Sequence, residues 1–401
     1  MVTKTAIMAG LLSVLSFIAS PATGQEGASN RRISDDVEFR QYSVDSPAGS
    51  VSVHMVLIDQ DALRSGRLSI EPATGGDLVG QCASPETIAR RVDALAAING
   101  PYYASAGDRI YPLGFTAIDG RLVQLGSVRR PMVGINPRGE FKIAVAHPQA
   151  FVTSDTYFEP LFLWGIDEPA GRDNVTLYDR RWGDSVSSQD GTAVIVDPYV
   201  PESGGVIVIG PGGPERTDWD GVVADRSSSG PVAIPEDGFV LVFRGQSLSQ
   251  AERYQRGAKI SIYTFELPSG WERMRWIATL GPWFLHEGNR RDYSGETRYG
   301  SNITGRANRS VIGTTWNDEV FFAVTSGAGV SVGEATEVFM ECNAREAVMC
   351  DSGSSSGLWA DGVGAIRSGS AVPLAFVVRE LTSPPVNPEP LKVWTGTIHR
   401  N

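Results

Sequence analysis

Residues 331–362 read SVGEATEVFMECNAREAVMCDSGSSSGLWADG, which predicts a helix, a buried strand and a polar loop in succession. Ser331 and Glu334 have the spacing of a capping box, in which each side chain bonds the other residue's backbone amide at a helix start. The apolar run that ends at Cys350 predicts the strand, and Asp351 begins the loop. A short strand and a turn are predicted after the loop. Asp351 is therefore expected at an exposed strand end, where functional sites are often built.

The same order of elements is predicted earlier in the chain. Ser84 and Pro85 suit the cap and the first position of a helix. A buried strand is predicted over residues 95–98, and the turn-forming segment that begins at Asn99 follows it. The chain thus uses a helix, a strand and a polar turn twice.

These patterns predict an α+β protein with mixed β-sheets flanked by helices. Residues 25–150 and 276–401 are expected to form two parts of one domain, with residues 151–275 as a β-rich insertion. Short apolar runs separated by Gly, Pro and Asp are typical of antiparallel strands. We expect the insertion to shape access to a site without supplying its chemistry. The alternative is that it completes the main sheet.

The charge and the first residues bear on partners and location. The chain has 401 residues and a formal net charge of -11 without a Lys/Arg cluster, so nucleic acid is not expected as a partner. Residues 1–24 have the basic start, apolar run and small residues of a secretory signal peptide. The apolar run is shorter than the ~20 residues of a spanning helix. We expect a periplasmic or secreted protein without a membrane span after signal removal, the alternative being an uncleaved anchor.

Three cysteines, Cys82, Cys342 and Cys350, could form one disulfide in an oxidising compartment. Closing the short loop between Cys342 and Cys350 would gain about 2–3 kcal/mol in the chain-entropy model. We therefore favour that pair, with Cys82 bonded to either partner as the alternative.

Several familiar chemistries have no sequence support. The metalloprotease helix motif, paired Cys-x-x-Cys, the P-loop and a dinucleotide fingerprint are all missing from the sequence. None of the four histidines has a second histidine or a cysteine at metal-binding spacing, so no metal site is predicted and the cofactor is unknown. Residues 353–357 match Gly-x-Ser-x-Gly, but a serine-hydrolase elbow leads into a helix, whereas a strand is predicted here.

Four segments form a set in chain order: Ala97–Tyr103, Gly281–Gly288, Asn308–Gly313 and Cys350–Gly362. In that order they resemble the motifs Ala-Ile-Asn-Gly-Gly-Phe-Phe, Gly-Pro-x-Leu-x-x-x-Gly, Pro-Arg-Thr-Ala-Ile-Gly and Leu-Asp-Gly-Gly-Gly-Ser-Ser. These motifs are those of the phosphodiester glycosidase family. This chain departs from the family at Pro101, Ser352 and Ser354, which stand where the family has glycine. Added side chains there bear on substrate range, because glycine lets a backbone approach a ligand closely.

The resemblance implies hydrolysis of a sugar-1-phosphodiester, or a related glycosidic bond, in a surface or extracellular glycan. The catalytic candidates are Asp351 and Arg309. A carboxylate such as Asp351 stabilises positive charge at the anomeric carbon, and a guanidinium such as Arg309 binds two phosphate oxygens. The alternatives are a turn cap for Asp351 and a structural salt bridge for Arg309.

The candidate substrate-binding residues are Asn99, Gly100, Tyr102, Ser354 and Ser355. Asn99 would hold a sugar hydroxyl or orient a carboxylate, Tyr102 would stack on a sugar ring, and the serines would bind an anion. No second carboxylate is singled out among the open candidates Glu287, Asp318, Glu334 and Asp361. Two other functions stay open: a hydrolase acting on a phosphate-free glycan, and a non-catalytic glycan-binding protein.

Overall fold

The computed structural model describes residues 30–394, except residues 48, 108, 127, 158, 189, 201–208, 211–212, 215–219 and 368. The predicted signal peptide, residues 1–24, lies outside the described residues. Of the described residues, 46% lie in strands and 12% in helices, so the protein is richer in β-sheet than the α+β prediction implied. No helix in this part of the chain is long and apolar enough to cross a membrane.

The first part of the chain contributes strands to three large sheets and forms a further sheet of two strands. Its elements are β1 (Asn30–Arg32), β2 (Val37–Ser46), β3 (Gly49–Asp59), α1 (Gln60–Ser65), β4 (Leu68–Thr74), α2 (Pro85–Arg91), β5 (Ala96–Asn99), β6 (Tyr103–Ala106), β7 (Arg109–Pro112), β8 (Thr116–Ile118), β9 (Arg121–Gln124), β10 (Arg130–Ile135) and β11 (Phe141–Ala146).

The middle of the chain is dominated by strands. Its elements are β12 (Gln149–Ser154), β13 (Leu161–Phe162), β14 (Gly165–Ile166), β15 (Val175–Tyr178), β16 (Ser185–Ser187), β17 (Thr192–Pro198), β18 (Ile209–Gly210), β19 (Gly213–Pro214), β20 (Gly221–Ser227), β21 (Pro231–Ala233), β22 (Phe239–Phe243), α3 (Leu248–Ala251) and β23 (Lys259–Phe265).

The last part of the chain adds strands to the three large sheets that also contain strands from the first part. Its elements are β24 (Trp276–Thr279), β25 (Trp283–His286), β26 (Asn289–Arg290), α4 (Ser301–Thr304), β27 (Ser310–Thr315), β28 (Glu319–Gly327), α5 (Val332–Glu341), β29 (Ala344–Met349), β30 (Leu358–Ala360), β31 (Gly364–Arg367) and β32 (Leu374–Glu380). Short 3-10 helices cover Gly245–Ser247, Trp271–Arg273 and Gly353–Ser355.

Four large sheets organise these strands. The main sheet has the order β1-β2-β3-β28-β27-β29-β25-β26, and the lateral sheet has the order β31-β30-β5-β32-β4. The bridging sheet, β11-β10-β24-β8-β9, joins strands from both ends of the chain. The insertion sheet, β13-β12-β23-β20-β17-β22-β15-β14, takes all its strands from residues 149–265.

Pairing within these sheets is antiparallel for all described strand neighbours except β14 and β15, rather than broadly mixed as predicted. The reason is visible around α5. This helix connects β28 to β29, but β27 lies between those two strands and pairs antiparallel with each. The two strands joined by the helix therefore run in the same direction without being neighbours.

The sheets pack in layers with separate hydrophobic cores between them. One face of the main sheet packs with the lateral and bridging sheets in a core that includes Val56, Phe322, Phe376 and Trp276. Helix α5 covers the other face through residues such as Phe339. The bridging sheet packs on the insertion sheet through a separate core. The bridging sheet therefore has a different core on each of its faces.

The two predicted helix starts are confirmed. The Ser84 hydroxyl accepts a hydrogen bond from the Thr87 amide at 3.1 Å, and Pro85 is the first residue of α2. Ser331 and Glu334 form the predicted capping box at the start of α5. The strand predicted after the Gly/Ser loop is β30, so the loop does not lead into the helix that a serine-hydrolase elbow requires.

The predicted disulfide between Cys342 and Cys350 is wrong. All three cysteines of the chain lie among the described residues, and all are free. Cys342 is the C-cap residue of α5 and packs in the core on one face of the main sheet, whereas Cys350 belongs to the core on its other face. A sheet therefore separates the two thiols, and the short sequence distance does not bring them together.

Candidate functional site

The four segments that resemble the family meet at one place. The Asn99 side chain donates to the Asp351 carbonyl at 2.6 Å and accepts from the Ser310 hydroxyl at 2.6 Å and the Gly357 amide at 3.0 Å. The Tyr102 hydroxyl donates to the Gly281 carbonyl at 2.7 Å. Hydrogen bonds thus connect strand ends that are up to 258 positions apart in sequence.

A pocket of about 300 Å³ opens beside these contacts. It contains three of the predicted site residues, Tyr102, Arg309 and Asp351. Its full lining consists of Tyr102, Tyr103, Leu113, Arg130, Asn302, Ile303, Arg309, Asp351 and Ser352. The charged side chains on this lining are one carboxylate and two guanidinium groups.

Asp351 follows β29 and is half-buried. Burial raises the pKa of its carboxyl, and hydrogen bonds from Ser355 and from the Ser352 amide oppose that rise. The Ser352 amide lies 2.9 Å from Asp351 Oδ1, so the predicted turn cap exists in part. The Asp351 amide donates to the Gly100 carbonyl at 3.1 Å. The backbone thus fixes a partly desolvated carboxyl group at the pocket wall.

Arg309 is fully buried, and backbone carbonyls occupy most of its donors. Its Nε donates to the Val330 carbonyl and its Nη1 to the Ile303 carbonyl, each at 2.8 Å, while its Nη2 donates to the Gly305 carbonyl. No carboxylate of a described residue forms an ion pair with it, so the salt-bridge alternative is not observed. Its predicted two-point phosphate fork would require breaking an existing hydrogen bond. Arg309 instead holds α4 and the Val330 loop at the pocket.

Arg130 was missed by sequence reasoning. It begins β10, lines the pocket, and carries its guanidinium carbon 4.6 Å from the Tyr299 ring centroid and 5.5 Å from that of Tyr102. Among the described residues, its guanidinium has no hydrogen bond or ion pair, and its buried Nε lacks a partner. No motif contains Arg130. Only the pairing of β10 with β24 brings it towards the Gly281 segment.

The other predicted substrate-binding residues lie outside the lining. Asn99 is 0% exposed and uses its amide within the protein, which favours orienting the Asp351 loop over contact with a sugar. A Cβ at Gly100 would come within 2.8 Å of Leu374, so close packing explains this glycine. Ser354 is exposed, and the buried Ser355 hydroxyl lies 3.2 Å from the Tyr103 hydroxyl.

None of the open candidates for a second carboxylate lines the pocket. Glu334 caps α5, and Asp318 forms an ion pair with Arg64. The buried carboxylate of Glu296 accepts a hydrogen bond at 2.6 Å from the hydroxyl of Tyr299, the residue whose ring contacts Arg130. Burial raises the pKa of Glu296. Glu296 supports the aromatic ring beneath Arg130 and is not on the pocket lining.

One group among the described residues has potential metal ligands close together. Ligand atoms of His286, Glu287 and Glu346 lie within 4.8 Å of one another. The Glu346 carboxylate already accepts from Trp283 Nε1 at 3.0 Å and from the Glu287 amide at 3.2 Å, and it lies 3.0 Å from His286 Nδ1. These contacts account for the group without an ion, and it lies outside the pocket lining.

Two larger clefts suit an anionic sugar phosphate less well. One, of about 640 Å³ at the edge of the main sheet, is lined by seven carboxylates and one arginine, which would repel a phosphate. The other, of about 570 Å³, lies along the bridging and insertion sheets and has basic and acidic groups of similar number. The smaller pocket is the one that combines a carboxylate with an excess of arginine.

Known proteins share the fold of this chain, and part of its sequence matches a family profile. A hypothetical protein from Synechocystis superposes with a TM-score of 0.72 at 19% identity, covering 88% of this chain. This chain spans 63% of that protein's length. A putative exported protein from Burkholderia pseudomallei K96243 superposes with a TM-score of 0.61 at 17% identity, covering 82% of this chain and 74% of that one. These two similarities show the fold.

A third solved structure is the zebrafish N-acetylglucosamine-1-phosphodiester alpha-N-acetylglucosaminidase catalytic domain, auto-inhibited by its pro-peptide. It has a TM-score of 0.43 at 12% identity and covers 91% of this chain and 85% of that one. No curated protein sequence matches the chain. The profile of the phosphodiester glycosidase family matches residues 216–379, which include Arg309 and Asp351 and begin within the proposed insertion. The resemblance seen in the sequence is therefore confirmed, because this part of the chain matches the phosphodiester glycosidase family.

Proposed function

We propose that the pocket hydrolyses the bond between an anomeric carbon and a phosphodiester oxygen, in a glycan outside the cytoplasm. The observation that carries the proposal is the single carboxylate, Asp351, facing a pocket that also contains Arg130 and Arg309. The net positive charge of these three groups favours an anionic substrate. The family match supports hydrolysis of a glycosidic bond.

The number of carboxylates helps to choose between phosphorylated and neutral substrates. Most glycosidases need two carboxyl groups, one of which protonates the departing oxygen. The phosphomonoester that departs from a sugar-1-phosphodiester is a good leaving group and needs less help from an acid. Asp351 is the one carboxylate among the described residues that line this pocket. The pocket therefore suits a sugar-1-phosphodiester better than a neutral glycoside.

Asp351 has the properties required near the anomeric carbon. Its carboxyl is partly desolvated, which strengthens its attraction for the positive charge that develops as the glycosidic bond breaks. Its backbone is fixed by Asn99 and Gly100, so the side chain is held without prior rearrangement. Tyr102 and Tyr103 present aromatic rings on the same lining, where a sugar face would stack.

The test is product analysis by mass spectrometry, after the protein is incubated with a panel of sugar-1-phosphodiesters and matched neutral glycosides. We expect a free sugar and a phosphomonoester from at least one phosphodiester, with much slower release from its neutral counterpart. Asp361→Asn is a matched control, because Asp361 is exposed and lies outside the lining. Binding without turnover, unchanged in Asp351→Asn, would favour a non-catalytic glycan-binding protein instead.

A further inference from the structure

We infer that Arg130, rather than the family-motif arginine Arg309, binds the phosphate. This inference rests on the proposed function for the identity of the anion as the phosphate of the substrate. It follows from a difference between the two guanidinium groups on the pocket lining. The guanidinium groups of Arg309 and Arg130 line the same pocket. The donors of Arg309 are bonded to backbone carbonyls, whereas those of Arg130 have no hydrogen-bond partner among the described residues.

The donors of Arg309 are already committed. Three of its nitrogen atoms donate to the carbonyls of Val330, Ile303 and Gly305, and Nη1 also lies 3.5 Å from Met349 Sδ. A guanidinium has five N–H groups, so at most one remains for a ligand. A planar fork on two phosphate oxygens needs two parallel N–H groups. Arg309 is therefore a positioning residue.

The donors of Arg130 are available. Its guanidinium contacts the rings of Tyr102 and Tyr299 but no hydrogen-bond acceptor or carboxylate among the described residues. Contact with aromatic faces leaves the in-plane N–H groups of an arginine free to bind oxygen. The buried Nε of Arg130 has no partner, which is costly, and an anionic oxygen in the pocket would satisfy it.

The surroundings hold Arg130 in place. The Thr297 amide donates to the Arg129 carbonyl at 2.7 Å, and the Leu280 amide donates to the Pro131 carbonyl at 2.8 Å, so the backbone is fixed on both sides. Tyr299 is held by its hydrogen bond to Glu296, and Tyr102 by its bond to the Gly281 carbonyl. Both rings that contact the guanidinium are thus anchored. Such preorganisation lowers the entropic cost of binding an anion.

The test titrates inorganic phosphate into the full chain and follows the phosphorus-31 resonance. Wild type and Arg129→Gln should bind phosphate within about twofold of each other, because Arg129 is the exposed neighbouring arginine. Arg130→Gln should bind at least about tenfold more weakly, since it loses charge-assisted hydrogen bonds. Arg130→Lys should bind about fivefold more weakly, because it keeps the charge but loses the fork. Thermal unfolding checks that each variant is folded.

The result that overturns the inference is unchanged phosphate affinity in folded Arg130→Gln, or wild type that shows no saturable binding. If Arg130→Gln does not fold, wild-type affinity in Arg130→Lys overturns it. Turnover separates this inference from the proposed function. Phosphate binding that depends on Arg130, without hydrolysis of any phosphodiester, supports the inference and contradicts the function. Hydrolysis with Arg130-independent phosphate binding supports the function and contradicts the inference.

Discussion

The insertion sheet and the sheets around the pocket are both mainly antiparallel and well packed, but the residues at the ends of their strands have different roles. The insertion sheet buries apolar residues on both faces, such as Leu241 on one face and Val240 on the other. Residues 149–265 supply none of the nine residues that line the pocket. In the lateral and main sheets, β5 ends at Asn99, and β29 is followed by Cys350 and Asp351.

The insertion sheet thus contributes packing, whereas the residues at the candidate site come from strand ends of other sheets. Asn99 lies at the end of β5 in the lateral sheet, and Asp351 follows β29 in the main sheet. A hydrogen bond joins these two ends, and the pocket opens beside them. The insertion sheet instead contacts the bridging sheet through its own core. We propose that residues 149–265 form an accessory layer that supports the bridging sheet, from which Arg130 reaches the pocket.

The largest expected effect is that of Asp351→Asn. The substitution keeps the shape of the side chain but removes the negative charge near the anomeric carbon. Steady-state kinetics should show activity at least about 100-fold lower, the lower end of what a positioned proton-transfer or charged group contributes. The control, Asp361→Asn, should stay within about twofold of wild type. Turnover by folded Asp351→Asn at the wild-type rate would remove Asp351 from the chemistry.

Arg309→Lys should have the next largest effect, because a lysine cannot reach three carbonyls in separate directions. We expect the free energy of unfolding to fall by about 2 kcal/mol, from lost hydrogen bonds to a charged group. Activity should fall about 10- to 100-fold, because the pocket wall shifts. The loss should be equal for phosphorylated and neutral substrates. A loss confined to phosphodiesters would restore Arg309 as the phosphate-binding residue.

A pair of phenylalanine substitutions compares the two regions directly. Phe243 lies in the core of the insertion sheet, and Phe376 lies in the lateral sheet opposite Ile98 of β5; both are 0% exposed. Each change to alanine should cost about 3–5 kcal/mol of stability in chemical denaturation. Activity per folded molecule should drop about tenfold in Phe376→Ala and stay within about twofold in Phe243→Ala. Equal losses of activity would contradict the proposed division.

A smaller effect concerns stability and pH. Burial raises the pKa of Asp351, so the folded state binds this proton more tightly than the unfolded state does. The ionised carboxyl therefore destabilises the fold at neutral pH. Denaturation should show Asp351→Asn to be more stable than wild type at pH 7. The difference should shrink as pH falls through the raised pKa, and vanish below the ordinary value of 3.8. A variant that is less stable at neutral pH would contradict the sign.

The smallest effect is expected for the cysteines, all of which lie outside the insertion sheet. Non-reducing peptide mapping should find three free thiols. Adding a reductant should change the free energy of unfolding by less than about 0.5 kcal/mol, whereas a disulfide closing the Cys342–Cys350 loop would contribute about 2–3 kcal/mol. A larger response to reductant would show that a covalent link joins regions that the fold separates.

Local sequence signals predicted the elements that carry the site. The caps at Ser84 and Ser331 gave both helices, and the polar residues after two apolar runs located Asn99 and Asp351. The cysteine prediction failed because it used sequence distance alone. Side chains alternate between the two faces of a strand, so Met349 and Cys350 enter different cores. That alternation was available in the sequence.

Other features depend on long-range pairing and had no local signal. Arg130 reaches the pocket because β10 pairs with β24, which lies more than 100 positions later in the chain. The motif around Arg309 identified the residue but not its partners, because the carbonyls of Val330 and Gly305 are positioned by the surrounding loops. The sequence therefore indicated several residues of the site but not the interactions that each of them makes.

The most direct measurement is a crystal structure of Asp351→Asn with an uncleaved sugar-1-phosphodiester. We expect electron density in the pocket beside Asn99, at the end of β5 in the lateral sheet, and residue 351, which follows β29 in the main sheet. The anomeric carbon should lie against the side chain at position 351, and the phosphate oxygens within hydrogen-bond distance of Arg130. Density in the cleft along the insertion sheet, around residues 236–239 and 389–392, would place binding in the other region and contradict the account.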